Sequence, residues 1–359
     1  MKKRLITVAL LLIMCISISA CGGEQKPATS TDKQEDTKQV AEVNDNKDTK
    51  DKADANVIEL KASHSVAPTH PYQLGLEKFA ELVSEKTNGK YKIDIFHSAQ
   101  LGNERDNYEG LQLGTVDITM GSTGPMGTFV KDFQMLDLPF LFESYEKADA
   151  VLDGELGQKL FEKLDAIGIV GGAFCDNGFR QITTSEKWGP IEKVEDLKGL
   201  KVRTMENEVH METFKTLGAD PTPMAYSEVF TSLQTGVLDS QENPIPIIYN
   251  NRIYEVQKNL SLTNHFYSPA MILFSGKMFE KLDADTQAIF LESAKEAAAY
   301  EREQIRKQEK EQLEELKALN MNIAEPDLAP FKEACQPIYE KYKETWDAEL
   351  MKILFDATK

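Results

Sequence analysis

The 359-residue chain lacks the features that mark several large classes of protein. It has only four cysteines, which excludes a small scaffold held together by many disulfides. Basic residues are in deficit, with 41 Lys and Arg against 59 Asp and Glu and a formal net charge of −18. This deficit argues against nucleic acid as a partner, because phosphate neutralisation requires a basic face. Apolar residues still make up 41 % of the chain, enough to build a sizeable core.

Common catalytic and metal-binding motifs are also missing. The sequence contains no His-Glu-x-x-His, no Gly-x-Ser-x-Gly and no phosphate-binding loop that ends in Gly-Lys-Ser/Thr. The histidines show no paired spacing typical of metal ligands; they are His64, His70, His97, His210 and His265. These absences disfavour an enzyme, and we predict neither a metal nor a cofactor.

Long apolar runs are absent except at the N-terminus. Residues 1–4 are positively charged, residues 5–19 are almost continuously apolar, and small residues lead directly to Cys21. This arrangement is typical of a lipoprotein signal peptide, so we predict that residues 1–20 are removed and that Cys21 is acylated, with palmitate as a typical acyl chain. An ordinary secreted protein with an incidental Cys is the alternative. The mature chain, with 38 basic and 59 acidic residues, is then extracytoplasmic and held at the cell membrane by lipid alone.

The segment after Cys21 has the composition of a linker. Residues 22–56 contain no aromatic residue, no Leu and no Ile, and they repeat Lys, Asp, Thr, Gln and Ala. Such a segment buries too little apolar surface to offset its ordering entropy, so residues 21–56 are predicted to be a disordered tether. Beyond the tether, Cys175 and Cys335 remain. They either form a disulfide, which an oxidising compartment permits, or stay as two buried thiols.

Folded sequence is predicted to start near Val57. Strands that alternate with helices predict an α/β fold with a mainly parallel sheet. The predicted strands cover residues 57–62, 91–96, 115–120, 167–174, 200–203 and 237–239, and the predicted helices cover 74–87, a segment from about 103, and 227–235.

Residues 283–320 contain no Gly and no Pro and are rich in Ala, Glu, Lys, Gln and Leu. As one helix they would span about 55 Å, at 1.5 Å per residue. The segment is therefore interpreted as two successive helices, as a coiled-coil arm, or as one helix that straddles two lobes.

Two arginines are associated with strand-forming sequence. Arg180 follows Asn177-Gly178-Phe179, and Arg203 ends the predicted strand Leu200-Lys201-Val202-Arg203. At the end of its strand, Arg203 can point into a cleft. A guanidinium group is a natural receptor for a carboxylate, because its planar fork gives two parallel hydrogen bonds.

Seven short motifs occur in a fixed order within residues 57–350. They are residues 100–105, 177–180, 196–203, 221–229, 233–239, 241–244 and 254–258. Taken in this order, they resemble the substrate-binding proteins of tripartite ATP-independent periplasmic (TRAP) transporters. The resemblance implies an α/β fold of the two-lobe, periplasmic-binding-protein-like type (class II), with a long helix spanning both lobes. It places the first part of lobe I in 57–178, lobe II in 179–268, and a C-terminal segment that completes both lobes in 269–359.

The resemblance also implies a ligand site. Arg203 would pair with the carboxylate of an organic acid, Asn243 would hydrogen-bond the same carboxylate, and Arg180 would supply a second cationic contact, direct or through water. Six further residues occupy pocket-lining positions: His64, Ser65, Glu104, Ser122, Glu206 and Tyr226. The serines depart from members that recognise sialic acid, while the two glutamates favour a ligand with hydroxyl groups.

We therefore expect an extracytoplasmic solute-binding protein without catalytic activity. It would bind an organic acid and deliver it to the membrane subunits of a TRAP permease. A uronate or an aldonate fits the predicted site better than a bare C4-dicarboxylate, which stays the competing ligand. The alternative function is a surface lipoprotein that acts as an adhesin, a scaffold or a ligand sensor.

Overall fold

The computed structural model describes residues 57–358. The predicted signal peptide, the predicted acylation site at Cys21 and the predicted tether lie outside the described residues. Within 57–358 the chain forms ten strands: β1 Ile58–Ser63, β2 Tyr91–Phe96, β3 Ile118–Ser122, β4 Ile169–Thr184, β5 Lys201–Thr204, β6 Asp220–Pro223, β7 Ser240–Pro244, β8 Asn259–Ser261, β9 Tyr267–Ser275 and β10 Asn322–Ala324.

Helices account for most of the remaining described chain. None of the described helices is both long enough and apolar enough to cross a membrane. The α-helices of residues 57–358 are α1 Pro71–Lys86, α2 Glu104–Leu113, α3 Thr123–Met126, α4 Tyr145–Leu152, α5 Glu155–Asp165, α6 Glu208–Thr216, α7 Val229–Gln234, α8 Ile245–Asn250, α9 Gly276–Phe279, α10 Ala284–Ala318, α11 Ala329–Ala334, α12 Gln336–Tyr342 and α13 Ala348–Thr358. Short 3-10 helices cover Lys131–Asp137, Val194–Leu197, Tyr226–Glu228 and Ile253–Glu255.

The strands form one mixed sheet in the order β2-β1-β3-β9-β4-β7-β5-β6, and β8 joins β10 to β4. The first half of the sheet contains β1, β2 and β3, which pair in parallel. The second half contains β5, β6 and β7, which also pair in parallel. The prediction of a mainly parallel sheet is wrong for the middle, where β9 and β4 run antiparallel to their neighbours. The chain passes from one half of the sheet to the other along these two strands, so they run opposite to the strands of the βα units on either side.

Strand β4 belongs to both halves of the sheet. Its part up to Phe179 pairs with β9, and its part from Arg180 pairs with β7. The register shifts between Asp176 and Gly178, and Gly178 has a φ of +115°, a conformation that residues with a Cβ rarely adopt. The strand therefore changes direction just before Arg180. We propose the lobe boundaries 178/179 and 268/269, because β4 and β9 pass from one half to the other at these positions.

The segment without Gly or Pro forms a single helix, α10, whose 35 residues span about 52 Å. Asp283 caps its N-terminus by accepting a hydrogen bond from the Thr286 amide at 2.8 Å. Phe290 lies in the core of the first half with α1, whereas Leu316 lies in the core of the second half with α8. The prediction of a long helix that spans both lobes is confirmed, and neither two helices nor a projecting arm is formed.

The two described cysteines are far apart in the fold. Cys175 lies in the core beneath α1 and α10, while Cys335 packs with residues of the second half such as Phe214. Both are buried free thiols, and burial raises the pKa of each. The free-thiol alternative is therefore the one that the structure adopts.

The remaining strand and helix predictions differ mainly at their ends. The strand predicted over 237–239 is wrong, because the amides of Val237 and Leu238 bond back to the Ser232 carbonyl at the end of α7. Strand β7 begins only at Ser240. Strand β3 starts at Ile118 rather than at residue 115, and β4 continues to Thr184 although polar residues interrupt its apolar pattern.

Candidate functional site

Three adjacent strands bring the predicted carboxylate-binding residues together. In the strand register, Arg203 of β5 lies opposite Gln241 of β7, and Asn243 of β7 lies opposite Gln181 of β4. Arg180 precedes Gln181, and its charge acts directly on Arg203. Arg180, Arg203 and Asn243 are at most 3 % exposed. The pairing of β4, β7 and β5 therefore encloses two cations and an amide at one place.

Arg180 is held by an acidic residue that the sequence analysis did not select. Its Nε donates to Glu242 Oε2 at 2.5 Å and its Nη2 donates to Glu242 Oε1 at 2.7 Å. Nη2 also donates to Asn243 Oδ1 at 3.0 Å, while Nη1 is buried without a hydrogen-bond partner among the described residues. Burial alone would raise the pKa of Glu242, but the charge of Arg180 and the bonds from His265 and Arg180 lower it below its ordinary value. The pair is thus ionised and neutral overall.

His265 completes this pair from the other side. Its Nε2 lies 3.1 Å from Glu242 Oε2, and its Nδ1 lies 2.8 Å from the hydroxyl of Thr263. A carboxylate only accepts, so Nε2 carries the proton and Nδ1 accepts from Thr263. Burial lowers the pKa of His265 despite the opposing effect of Glu242, which keeps the imidazole neutral at pH 7. His265 therefore orients Glu242 without adding charge.

Arg203 has no such counter-ion. Its Nε and Nη2 donate to the Met224 carbonyl at 2.9 and 2.5 Å, and its guanidinium carbon lies 5.9 Å from the centre of the Tyr226 ring. Among the described residues no carboxylate lies within ion-pair distance of Arg203. Burial, and secondarily the charge of Arg180, lower the pKa of Arg203 to about 10, so the group stays protonated at neutral pH. Arg203 is a buried cation without an anion.

Glu104 lies near the two arginines and binds a serine of the first half. It is the first residue of α2, and its carboxylate accepts from the Ser122 amide at 2.7 Å and from the Ser122 hydroxyl at 2.9 Å. Burial raises the pKa of Glu104, while Ser122 and the charges of Arg203 and Arg180 oppose this rise. Two residues predicted separately therefore form one acidic hydrogen-bonded pair, and Ser122 is itself 1 % exposed.

His64 and Ser65 follow the carboxyl end of β1. His64 is buried, and its Nε2 lies 2.8 Å from Gln73 Oε1 on α1. Burial lowers the pKa of His64 to about 4, with Gln73 opposing, so the ring is neutral at pH 7. Ser65 is 8 % exposed. Both residues therefore offer neutral polar atoms rather than charge.

Tyr226 and Glu206 lie on the second half of the molecule. The Tyr226 hydroxyl is buried without a hydrogen-bond partner among the described residues, and burial raises its pKa. Glu206 is half-buried in the turn between β5 and α6. The Tyr72 hydroxyl and Thr204 Oγ1 are further buried atoms without a partner in residues 57–358.

Orphaned polar atoms of this kind suit a polar ligand. An unpaired buried donor or acceptor costs about 1–3 kcal/mol, so native proteins keep few of them. The charges of Arg203 and Arg180 act on Tyr226 and Glu104, and the charge of Glu104 acts on Tyr72, so these groups are close to one another. In residues 57–358 no group of three or more His, Cys, Asp or Glu is arranged to hold a metal ion. The arrangement can bind an anion that also carries hydroxyl groups.

Sequence reasoning missed Glu242, His265 and Tyr72. Glu242 is adjacent to Asn243 in the motif of residues 241–244, and a charge count over that motif could have identified it. His265 and Tyr72 carry no comparable signal, because Glu242 and Glu104, the site residues with which they interact, lie in segments that are distant in sequence. The ligand-binding roles of all nine predicted residues stay predictions.

Residues 62–345 match a known family described as "Bacterial extracellular solute-binding protein, family 7". The C4-dicarboxylate-binding protein DctB of Bacillus subtilis is 33 % identical over 306 residues, which are 84 % of this chain and 87 % of that protein. Two solved structures are also similar. The sugar acid binding protein DctPAm of Advenella mimigardefordensis, in complex with galactonate, has a TM-score of 0.82 and 36 % identity, with 85 % of this chain and 99 % of that chain covered.

The second structure is a TRAP periplasmic solute-binding protein from Polaromonas bound to D-erythronate. It has a TM-score of 0.80 and 41 % identity, with 83 % of this chain and 98 % of that chain covered. These similarities cover nearly all of the described residues and include the long helix and both lobes. The chain belongs to the family 7 bacterial extracellular solute-binding proteins, the receptors of TRAP transporters.

Proposed function

We propose that this receptor binds a hydroxylated monocarboxylate, such as an aldonate or a uronate, and delivers it to the membrane subunits of a TRAP permease. The observation that carries the proposal is the state of Arg203, a buried guanidinium without a carboxylate partner among the described residues. A buried charge without a partner is costly, and a ligand carboxylate removes that cost. The Nε and Nη2 atoms of Arg203 face the Met224 carbonyl, so the opposite edge of the guanidinium, which carries Nη1, is available to the ligand carboxylate.

The charges around Arg203 favour one carboxylate over two. Arg180 is already neutralised by Glu242, so only Arg203 needs a further anion. A second ligand carboxylate would have no free cation and would approach Glu104, whose own charge acts on Arg203 and Arg180. A C4-dicarboxylate is therefore the weaker candidate.

The uncharged groups favour a ligand with hydroxyls. Glu104 can accept from such groups, Tyr226 supplies a neutral hydroxyl near the arginines, and Tyr72 supplies another near Glu104. His64, also a predicted site residue, is a neutral imidazole. Galactonate and D-erythronate, bound by the two similar structures, each combine one carboxylate with several hydroxyls. An adhesin or a scaffold is not favoured, because neither role requires a buried cation without a partner.

Isothermal titration calorimetry on the mature chain tests the proposal. The panel contains D-galactonate, D-erythronate, D-glucuronate, succinate and fumarate. We expect at least one hydroxylated monocarboxylate to bind with a micromolar or lower Kd and to reduce the radius of gyration in small-angle scattering as the lobes close. Tighter binding of succinate or fumarate than of every hydroxylated acid would contradict the proposed ligand class, and no binding at all would contradict the receptor role.

We further propose that the mature chain is anchored through an acylated Cys21, which the charge and apolar pattern of residues 1–20 supports. Cys21→Ser should leave the protein unprocessed or release it to the medium. Cys15→Ser, which alters a cysteine inside the predicted signal peptide, serves as the matched control and should leave anchoring intact. Mass spectrometry of the wild-type N-terminal peptide reads out the acyl chain; a mature N-terminus without fatty acid would contradict the anchor.

A further inference from the structure

The buried ion pair between Arg180 and Glu242 lies close to the proposed ligand site. Arg180 and Glu242 are both fully buried, yet the pair lies next to Asn243 and interacts with Arg203 rather than standing apart from the site. Arg180 also keeps one nitrogen, Nη1, without a partner among the described residues. Arg180 is thus a cation close to the proposed ligand site, and the carboxylate of Glu242 neutralises its charge.

The groups that hydrogen-bond this pair add no further charge. His265 bonds Glu242 as a neutral imidazole, and Thr263 and Asn243 contribute neutral hydrogen bonds. Beyond these bonds, Glu104 interacts with both arginines and His210 acts on Glu242. With Glu242 paired to Arg180, Arg203 is the one cation of this pair of arginines without a direct counter-ion among the described residues, and the Glu104 carboxylate nearby opposes any second anion.

We propose that Glu242 determines how many negative charges the ligand carries. The residue does not contact the ligand in this account; it acts through Arg180, by cancelling a cation that would otherwise be available to a second carboxylate. Glu242 is therefore a specificity-determining positioning residue that makes the site a receptor for monoanions. The inference rests on the proposed function, because it specifies the ligand class of the same site.

Two acids that differ in one group provide the direct test. D-erythronate and meso-tartrate share the same carbon chain and the same hydroxyls at C2 and C3, but C4 is a CH₂OH group in one and a carboxylate in the other. D-galactonate and galactarate form a second pair of this kind with six carbons. The ratio of the Kd of the dianion to the Kd of the monoanion cancels most effects that a variant has on folding or closure.

Calorimetry with three proteins separates charge from packing. The wild type should prefer the monoanion. Glu242→Gln keeps the shape but removes the cancelling charge, so the ratio should fall at least tenfold, which corresponds to about 1.4 kcal/mol. The double variant Arg180→Met with Glu242→Gln is neutral again, so its ratio should return to within about threefold of the wild type; such replacements of a buried pair are often tolerated.

Glu301→Gln is the matched control. Glu301 is a fully buried carboxyl on α10 whose Oε2 accepts from the Asp176 amide at 3.0 Å, and among the described residues it makes no hydrogen bond to Arg180, Arg203 or Glu242. The same substitution there should leave the ratio unchanged. An equal loss of affinity for both acids in Glu242→Gln would overturn the inference while the proposed function stands. A wild type that binds the dianion at least as tightly as the monoanion would overturn it even if Glu242→Gln does not fold, whereas a wild type that binds no acid of the panel contradicts the proposed function itself.

Discussion

Two buried arginines lie side by side in this molecule, and their surroundings are opposite. Arg180 meets Glu242 through two hydrogen bonds and is neutralised inside the protein. Among the described residues, Arg203 donates hydrogen bonds only to the Met224 carbonyl, and it lies over the ring of Tyr226. A buried cation with a counter-ion is already neutralised within the folded protein. A buried cation without one can still pair with an anion from solution. We therefore propose that Arg180 contributes mainly to stability and Arg203 mainly to ligand affinity.

The largest expected effect is the loss of ligand affinity when Arg203 is replaced. Arg203→Ala leaves the ligand carboxylate buried without its counter-ion, which typically costs about 3–5 kcal/mol, or roughly two to three and a half orders of magnitude in Kd. Arg203→Lys keeps the charge but loses the planar fork, so it should also bind poorly. Calorimetry with the best ligand of the panel measures both.

Lys201→Ala is the control for Arg203→Ala, because Lys201 is an exposed cation on the same strand. It should bind like the wild type. Binding by Arg203→Ala within tenfold of the wild type would remove the central role of Arg203.

Arg180→Ala should mainly lower the stability of the fold. This change leaves Glu242 buried without its cation, so the free energy of unfolding at pH 7 should fall by about 3–5 kcal/mol. Arg203→Ala should lose much less, since it removes a charge that has no partner in the unliganded protein. Urea unfolding of both variants measures the two values. The comparison fails if Arg203→Ala is the more destabilised protein.

The pH dependence of Arg180→Ala sharpens the same point. In the wild type, burial would raise the pKa of Glu242, but Arg180 lowers it below its ordinary value. The wild-type pair therefore stabilises the fold above about pH 4.3 and loses this contribution as the pH falls below that value. Without Arg180 the pKa of Glu242 rises, so the deficit of the variant should shrink between pH 7 and about pH 4.5. An unchanged deficit in urea unfolding at the two pH values would contradict the assigned role of Glu242.

Asn243 lies on β7, between the strands that carry the two arginines, and its substitution should have an intermediate effect. Asn243→Ala removes a hydrogen bond to a charged group, worth about 1.5–3 kcal/mol, so the Kd should rise about 10- to 100-fold. Asn243→Asp adds a negative charge beside the ligand and should bind more weakly still. Asn322→Ala, on an exposed position of β10, is the control. Calorimetry that gives Asn243→Ala a wild-type Kd would show that this amide only supports Arg180.

The smallest effect concerns a contact across the halves. Asn103 Nδ2 donates to Ser227 Oγ at 3.2 Å, and the Ser227 amide donates to Asn103 Oδ1 at 3.2 Å. Asn103→Ala should speed ligand dissociation about fivefold, because it removes two water-exposed bonds that contribute about 0.5 kcal/mol each, the low end of the usual range. Stopped-flow dissociation measures it, with Thr231→Ala on exposed α7 as control. Equal rates in Asn103→Ala and the wild type would show that this contact does not hold the lobes together.

Much of the fold could be predicted because its signals are local. Strand β2 alternates apolar and polar residues, Asn103 precedes a helical pattern, and residues 283–320 contain nothing that ends a helix. Strand β4 was predicted too short because Asp176 and Asn177 break its apolar run, although both are buried by contacts from β9 and α10. Burial of polar residues by distant segments leaves no local pattern.

The same limit applies to the site. The motifs contain both arginines and Asn243, and the structure brings the three together. That Arg180 is neutralised and Arg203 is not depends on how β4 pairs with β7 across about sixty residues of chain. The two arginines look alike in sequence, since each is associated with strand-forming sequence. Their difference arises from tertiary pairing alone.

The two elements that cross the molecule also determine how it unfolds. Strand β4 hydrogen-bonds to both halves, and α10 fills both cores, with Phe290 near one end and Leu316 near the other. Neither half can lose its structure without exposing part of an element that the other half needs. The two lobes should therefore melt together, in one cooperative transition, and neither should fold when expressed alone.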